Sequence, residues 1–409
     1  MSRSSPAEPR VTLLVAAVAI VLFSASWGAL HVGFYTRDQI VDTPVYQRYG
    51  DAMASGQVPY RDFGLEYPPG ALPVFVIPAL GHHEVTQFAS FRRSFELLMW
   101  ACGVLMLVAM ALALRALRAT ERRTAGALLF AALAPLALGS VVLSRFDLWP
   151  AAIVAGALAA IVSGRLRLGH GLLGLGIAAK VYPAVLVPLA LVHVCRRRGR
   201  REALICLGVL VAAIAVVVVP FLALAPGGVW DSVVRQTTRP LQIESLGAAV
   251  LVALHHVAGL AVTMRSGHGS QNLDGTGPDV IGSLQTVLQL AALLAIWALY
   301  ARGRGGREEL LRASAAAVVA FVALGKVFSP QFLIWLVPLV PLVRGRRGLG
   351  ASALLLVAMV LTQLWFPFRY WDYALQFDAT ASWLVLVRDL VMLALLFTLA
   401  LPEREGAHG

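Results

Sequence analysis

Lysine is almost missing from this chain: the 34 basic residues include two lysines, Lys180 and Lys326, and the other 32 are arginine. Charge of any kind is scarce, 14% of 409 residues against 59% hydrophobic, with a mean hydropathy of +0.76. That balance excludes an ordinary water-soluble domain. The three cysteines, Cys102, Cys195 and Cys206, have neither framework nor ligand spacing, which excludes a disulfide scaffold and a zinc site. Missing too are a G-x-x-x-x-G-K-[ST] loop, a G-x-G-x-x-G turn entering a helix from a strand, H-E-x-x-H and G-x-S-x-G. Nucleotide-driven pumping and zinc or serine hydrolysis therefore have no footing. His82-His83 and His255-His256 are adjacent pairs and lack the i, i+4 spacing of helical metal ligands, so neither a metal nor a cofactor is expected.

What is present is apolar chain. Runs of about 20 residues recur with short polar breaks, the length that crosses a bilayer as a helix. They are continuous Ala/Leu/Val blocks without strand alternation, so the fold expected is an all-α polytopic membrane protein and not a β-barrel. The net charge of +12 is read as a topology signal, with no nucleic-acid partner. The apolar run from Val11 has no A-x-A-like exit and reads as a retained first span.

Basic runs at 115–123, 165–167, 196–201, 302–312 and 344–347 are assigned to the inner side, leaving 21 of the 34 basic residues inside and 11 outside. Twelve crossings result, near 11–34, 94–114, 124–143, 147–164, 171–182, 183–195, 202–225, 280–301, 312–327, 330–344, 349–366 and 383–401, with both termini inside. The pairs within 171–195 and 312–344 are too short for two full spans each and read as hairpins of broken helices lining a cavity. Two further apolar stretches, 69–81 and 246–263, are laid flat as outer-surface helices. The chain thus reads as a single integral membrane domain, 1–409, with two large outer loops at 35–93 and 226–279.

The first outer loop concentrates Asp38, Asp42, Asp51, Asp62 and Glu66. Asp42 precedes Thr43-Pro44 and a segment with Val45, Tyr49, Ala52 and Met53 at helical spacing, so a helix about 13 residues long is expected to start there. On position alone Asp42 is as well an N-cap as a functional acid. Glu66-Tyr67-Pro68-Pro69-Gly70 reads as a rigid turn with an acid at a positive helix end. The two lysines sit in related settings, Lys180-Val181-Tyr182-Pro183 and Lys326-Val327-Phe328-Ser329-Pro330, at the tips of the short hairpins. A charge there faces either a wet cavity with an anionic partner or the surface, by snorkelling. Arg145 and Asp147, in Ser144-Arg145-Phe146-Asp147, are open to a surface-pair reading worth under about 1 kcal/mol. Arg239 and Glu244 flank a proline turn, and Trp230, Trp371 and Trp383 read as interface aromatics.

With these residues in view, the chain resembles the GT-C superfamily of polytopic glycosyltransferases, and within it the family-87, polyprenyl-phosphate-mannose-dependent mannosyltransferases of actinobacterial type. The resemblance rests on VDTPVYQRYGDAM, PYRDFGLEYPPGALPVF, SRFDLWPA, GIAAKVYPAVLVPL, RPLQIESLGA and KVFSPQFLIWLVPL, in that order. It implies a GT-C-like bundle of about 12 transmembrane helices in a bacterial plasma membrane, with the active site on the extracytoplasmic side. It also implies a polyprenyl-phosphate sugar donor and a glycolipid or glycan acceptor of the cell envelope, among membrane lipids. By position the catalytic carboxylate maps to Asp42, a general base for an inverting displacement at C1 of β-linked mannosyl phosphate. Arg145, Lys180, Arg239 and Lys326 are the cations expected at the phosphate. Asp62 and Glu66 fall to loop orientation or acceptor hydroxyls, Gln331 to a sugar contact, and Tyr67 and Asp147 complete the expected substrate-binding set. Some members carry histidines just after the late Ser-Pro; here Gln331-Phe332-Leu333-Ile334-Trp335 stands instead, so no histidine role carries over. The same chemistry on arabinose or glucose stays open, as does a secondary transporter or flippase, which broken hairpins also suit.

Overall fold

The computed structural model describes residues 8–80 and 88–401. His82 and His83 lie outside the described residues. The order is α1 (Pro9–Ala29), α2 (Thr43–Ala54), a 3₁₀ turn at Pro69–Ala71, α3 (Pro73–Ala79), α4 (Phe88–Ala116), α5 (Glu121–Leu138), α6 (Val141–Ser144), α7 (Leu148–Val162) and α8 (Leu166–Ala179). A 3₁₀ turn at Tyr182–Leu186 leads into α9 (Val187–Leu224), followed by α10 (Pro226–Thr237) and α11 (Leu246–Ala258). A β-hairpin of β1 (Thr263–Gly267) and β2 (Ser270–Asp274) precedes α12 (Thr276–Arg302) and α13 (Arg307–Ala323). Two 3₁₀ segments, Pro330–Leu336 and Val340–Leu342, then lead to α14 (Gly345–Trp365), α15 (Tyr370–Gln376) and α16 (Ala379–Ala400).

Among the described residues, six segments are long and apolar enough to cross a membrane: α1, α4, Tyr182–Leu224, α12, α14 and α16. Their outward faces carry exposed leucine and valine, such as Leu13, Val21, Leu105, Val216, Leu288 and Leu364, as a lipid-facing surface does. This is a multi-pass membrane protein. The expected crossings at 147–164 and 171–182 are the shorter helices α7 and α8. Those at 183–195 and 202–225 run through one 38-residue element interrupted at Gly199, whose φ of +84° is helix-breaking. Unbroken, that element would extend about 57 Å, far beyond a bilayer core of about 30 Å. The expected span 330–344 is 3₁₀ and not α-helical, because Pro330, Pro338 and Pro341 each remove an amide donor.

Packing runs α5–α1–α4–α7–α8–α9 on one side and α12–α13–α16–α14–α5 on the other. Helix α13 is buried on every face, from Leu310 to Ala323, which suits its near-uniform Ala/Val composition. The basic turns gather at one end. Arg123 pairs with Glu308, Arg307 donates to the Ala116 carbonyl, Arg196 to the Gly303 and Ala301 carbonyls, and Arg347 to that of Leu401. The acidic segments and both lysines lie at the other end. Glycine sets that end's close contacts: a Cβ on Gly50 would stand 2.9 Å from Ala79 Cβ, and one on Gly70 2.6 Å from the Ala179 amide. The second of these presses the proline-rich turn against the helix end that bears Lys180.

Candidate active site

Helix α2 begins where expected, directly after Asp42. Its buried face is Thr43, Tyr46, Gln47, Tyr49 and Gly50, rotated from the expected Val45/Tyr49/Ala52/Met53 stripe because aromatic packing decides it. Tyr46 stacks on Phe75 and meets Phe95, Phe146 and Tyr67, with ring centroids 4.8 to 5.9 Å apart. Asp42 holds the N-cap position without a side-chain capping bond. Its carboxylate instead contacts the Arg145 guanidinium and accepts a long hydrogen bond of 3.3 Å from the Tyr46 hydroxyl.

Arg145 is buried, and burial pulls it down to about 10 even with Asp147 and Glu244 nearby; it remains a cation at neutral pH. Arg145 and Asp147 are not the surface pair that adjacency suggests. Asp147 is buried and accepts from Lys180 Nζ and from Trp335 Nε1, both at 2.6 Å on the same Oδ1. Lys180 also stands over the rings of Phe146, Trp335 and Phe332, at 4.5, 5.1 and 5.7 Å from their centroids. Tyr182 and Phe332 stack on Trp335, each at 4.1 Å. The tip carrying Lys180 is thus turned inward and does not snorkel.

The second cationic group comes from the other hairpin. Lys326 donates to the Thr237 carbonyl at 3.2 Å, at the end of α10, and its own carbonyl accepts from the Gln242 amide at 2.9 Å. Burial and the neighbouring Arg239 both lower its ammonium. Arg239 is lowered by burial and raised again by the Glu66 carboxylate, while Lys180 feels both Arg145 and Arg239 as like charges. Four cations from four separate segments, Arg145, Lys180, Arg239 and Lys326, therefore share one electrostatic neighbourhood with Asp42, Glu66, Asp147 and Glu244.

Glu66 reaches the β-hairpin tip, where a Cβ on Gly269 would lie 3.3 Å from its Oε2, and its carbonyl accepts from Gln236 at 3.0 Å. Tyr67 packs edge-on to Phe146 at 5.0 Å in the aromatic cluster below Asp42. Gln331 is half-buried, two residues after Ser329. Asp62 stands apart: it closes its own turn, accepting from the Val58 amide at 2.7 Å and from Arg61 at 2.9 Å, and these bonds hold it at about 2. Sequence reasoning left out two members of the cluster. Glu244, buried beside Gln242 and over Arg388, was passed over as part of a turn; Trp335, the second donor to Asp147, stood in the segment set aside for lacking histidine. Among the described residues, no three His, Cys, Asp or Glu side chains are placed to hold a metal.

A bundle of membrane-crossing helices with a buried acid–cation cluster at one end defines a class of multi-pass membrane protein. The profile of glycosyltransferase family 87 matches residues 65–330, and the chain belongs to that family. It is a membrane glycosyltransferase. Among solved structures, the crystal structure of ArnT from Cupriavidus metallidurans bound to undecaprenyl phosphate aligns over 96% of this chain and 78% of that one, at 15% identity and a TM-score of 0.49. No curated protein matches the chain.

Proposed function

We propose that the protein transfers mannose from polyprenyl-phosphate mannose to a sugar hydroxyl of a cell-envelope glycolipid or glycan, at the outer face of the plasma membrane. The observation that supports this most is the Asp42–Arg145 contact inside the group of four cations. Inverting transfer needs a base for the acceptor hydroxyl beside positive charge for the leaving phosphate. Asp42 is half-exposed and deprotonates the acceptor oxygen, which attacks C1 of the donor. The C1–O bond to phosphate breaks, and Arg145, Lys180, Arg239 and Lys326 receive the polyprenyl phosphate. Arg145 is shared: it faces Asp42, and a bound phosphate divides its charge between the two anions, which leaves Asp42 more basic. An apolar groove of about 290 Å³ at the same end, lined by Phe34, Leu136, Val360, Leu364 and Phe368, suits the first isoprene units. Glu66 and Gln331 contact acceptor or donor hydroxyls. Asp62, tied into its own turn, is left only an indirect role in shaping the loop.

The test is transfer of radiolabelled mannose from synthetic polyprenyl-phosphate mannose to membrane glycolipid acceptors by the purified protein. Transfer from the mannose donor and not from polyprenyl-phosphate arabinose or glucose supports the reading. Transfer from another sugar alone keeps the chemistry and discards mannose.

A further inference from the structure

At the arginine-rich end, opposite Asp42, a cleft of about 630 Å³ opens between α4, α7 and α8, within the size range of ligand sites. Helix α7 and its C-cap present Gly156, Ala159, Ala160 and Ser163 to it, at i, i+3, i+4 and i+7 on one face. The neighbouring helices set Leu112, Leu168 and Leu172 on either side, so small residues between leucines leave an apolar-walled slot.

Its mouth is cationic, with Arg115, Arg118, Arg165 and Arg307. Arg307 is engaged by the Ala116 carbonyl at 3.3 Å. Arg115, Arg118 and Arg165 are exposed, and among the described residues none has a carboxylate within ion-pair reach. Other arginines of this end do: Arg123 meets Glu308 at 2.6 Å and Arg167 meets Glu202 at 2.8 Å. Arg118 occupies the left-handed position that closes α4, at φ +53°, where the Ala119 amide bonds back to the Leu114 carbonyl at 3.0 Å. Glycine takes that position at no steric cost. Arginine there adds a guanidinium to the mouth of the slot.

We propose that this cleft binds a membrane phospholipid with an anionic headgroup, its phosphoryl oxygens on Arg115, Arg118 and Arg165 and one acyl chain against Leu112, Leu168 and Leu172. Topology requires arginines in loops on one side; it does not require three around an apolar slot with no carboxylate partner among the described residues. Only an amphiphile satisfies both surfaces. Free phosphate leaves the leucine walls wet, and a zwitterionic lipid brings a cation of its own to the same mouth. None of these residues belongs to the Asp42 cluster, so the inference stands or falls apart from glycosyl transfer.

Native mass spectrometry of the full chain tests it, with phosphatidylglycerol or phosphatidylcholine of identical acyl chains added to delipidated protein. Phosphatidylglycerol is expected to be retained about tenfold or more over phosphatidylcholine, since each exposed arginine at the mouth attracts the anionic headgroup. The triple variant Arg115→Gln/Arg118→Gln/Arg165→Gln falls to the phosphatidylcholine level. A variant with the same charge loss elsewhere, Arg197→Gln/Arg198→Gln/Arg200→Gln, keeps the preference. Leu172→Trp, which fills the slot and keeps every arginine, loses it and covers the case of a triple variant that does not fold. Equal retention of the two lipids, an unaffected triple variant, equal loss in the control variant, or displacement by millimolar inorganic phosphate each overturns the proposal.

Discussion

Arg145 reaches the Asp42 carboxylate from the short segment between α6 and α7, and this contact, not a helix cap, fixes where that carboxylate points. The N-cap position brings Asp42 to the start of α2, and the aromatic packing of Tyr46 one turn on holds the helix in place. Charge then decides the side-chain direction.

Replacing Asp42 by Asn keeps the shape and removes the proposed base. Mannosyl transfer should fall by about 10²–10⁴, with the unfolding temperature in detergent close to wild type because Asp42 is half-exposed. Asp42→Glu should recover part of the rate. A folded Asp42→Asn enzyme within tenfold of wild type would move the base to Asp38 or Glu66.

Lys180 and Asp147 form a buried pair, with side chains 17% and 1% exposed. Removing one partner of such a pair leaves an uncompensated charge, at a cost of about 3–5 kcal/mol. Asp147→Ala should therefore lower the unfolding temperature markedly, the more so because Trp335 Nε1 loses its acceptor as well. The double change Lys180→Met/Asp147→Leu should recover much of that stability while leaving donor turnover low. An Asp147→Ala protein that melts with wild type would show that the pair has no structural weight.

Much of this centre was legible in the chain before folding. Two lysines in a protein of arginines, each followed by Val-aromatic and a proline, marked the ends of the broken hairpins, and charge asymmetry between loops separated the basic end from the acidic one. Family resemblance followed from ordered motifs between residues 41 and 339, and the family match covers 65–330. What was hidden depends on contacts distant in sequence. Glu244 reads as a turn acid until Arg388, 144 residues later, donates to its carbonyl. Trp335 reads as core until it meets Asp147 across 188 residues. Helix α2 shows the same: the spacing of Val45, Tyr49, Ala52 and Met53 marked a helix, and tertiary packing selected Tyr46 and Gly50 for its buried face.

Lys326 is half-buried, donates to the Thr237 carbonyl and is close to Arg239. Removing it relieves a like-charge repulsion, so Lys326→Ala should cost under about 1 kcal/mol of stability. Its effect should fall on the donor, raising the KM for polyprenyl-phosphate mannose about tenfold or more, with acceptor KM unchanged. Arg239→Ala should act in the same direction. A Lys326→Ala enzyme with normal donor KM and lowered kcat would place this lysine away from the donor phosphate in the bound state.

Glu244 gives the fold a pH dependence of definite sign. Burial lifts its carboxyl from an ordinary 4.5 to about 8, against the pull of Arg388, Arg145 and Arg239. The folded chain then holds this proton more tightly than the unfolded chain does. Between about pH 4.5 and pH 8 the native state binds more protons, so the stability contributed by Glu244 is full below 4.5 and is lost as pH rises through 8. Glu244→Gln mimics the protonated form and keeps a donor for its neighbours. Its unfolding temperature should match wild type near pH 5 and exceed it at pH 8, the gap opening steadily between. Subtracting the two curves removes every other titrating group. A gap that stays constant with pH would mean that the three arginines keep Glu244 ionised throughout, and the cluster would then carry one more negative charge at neutral pH.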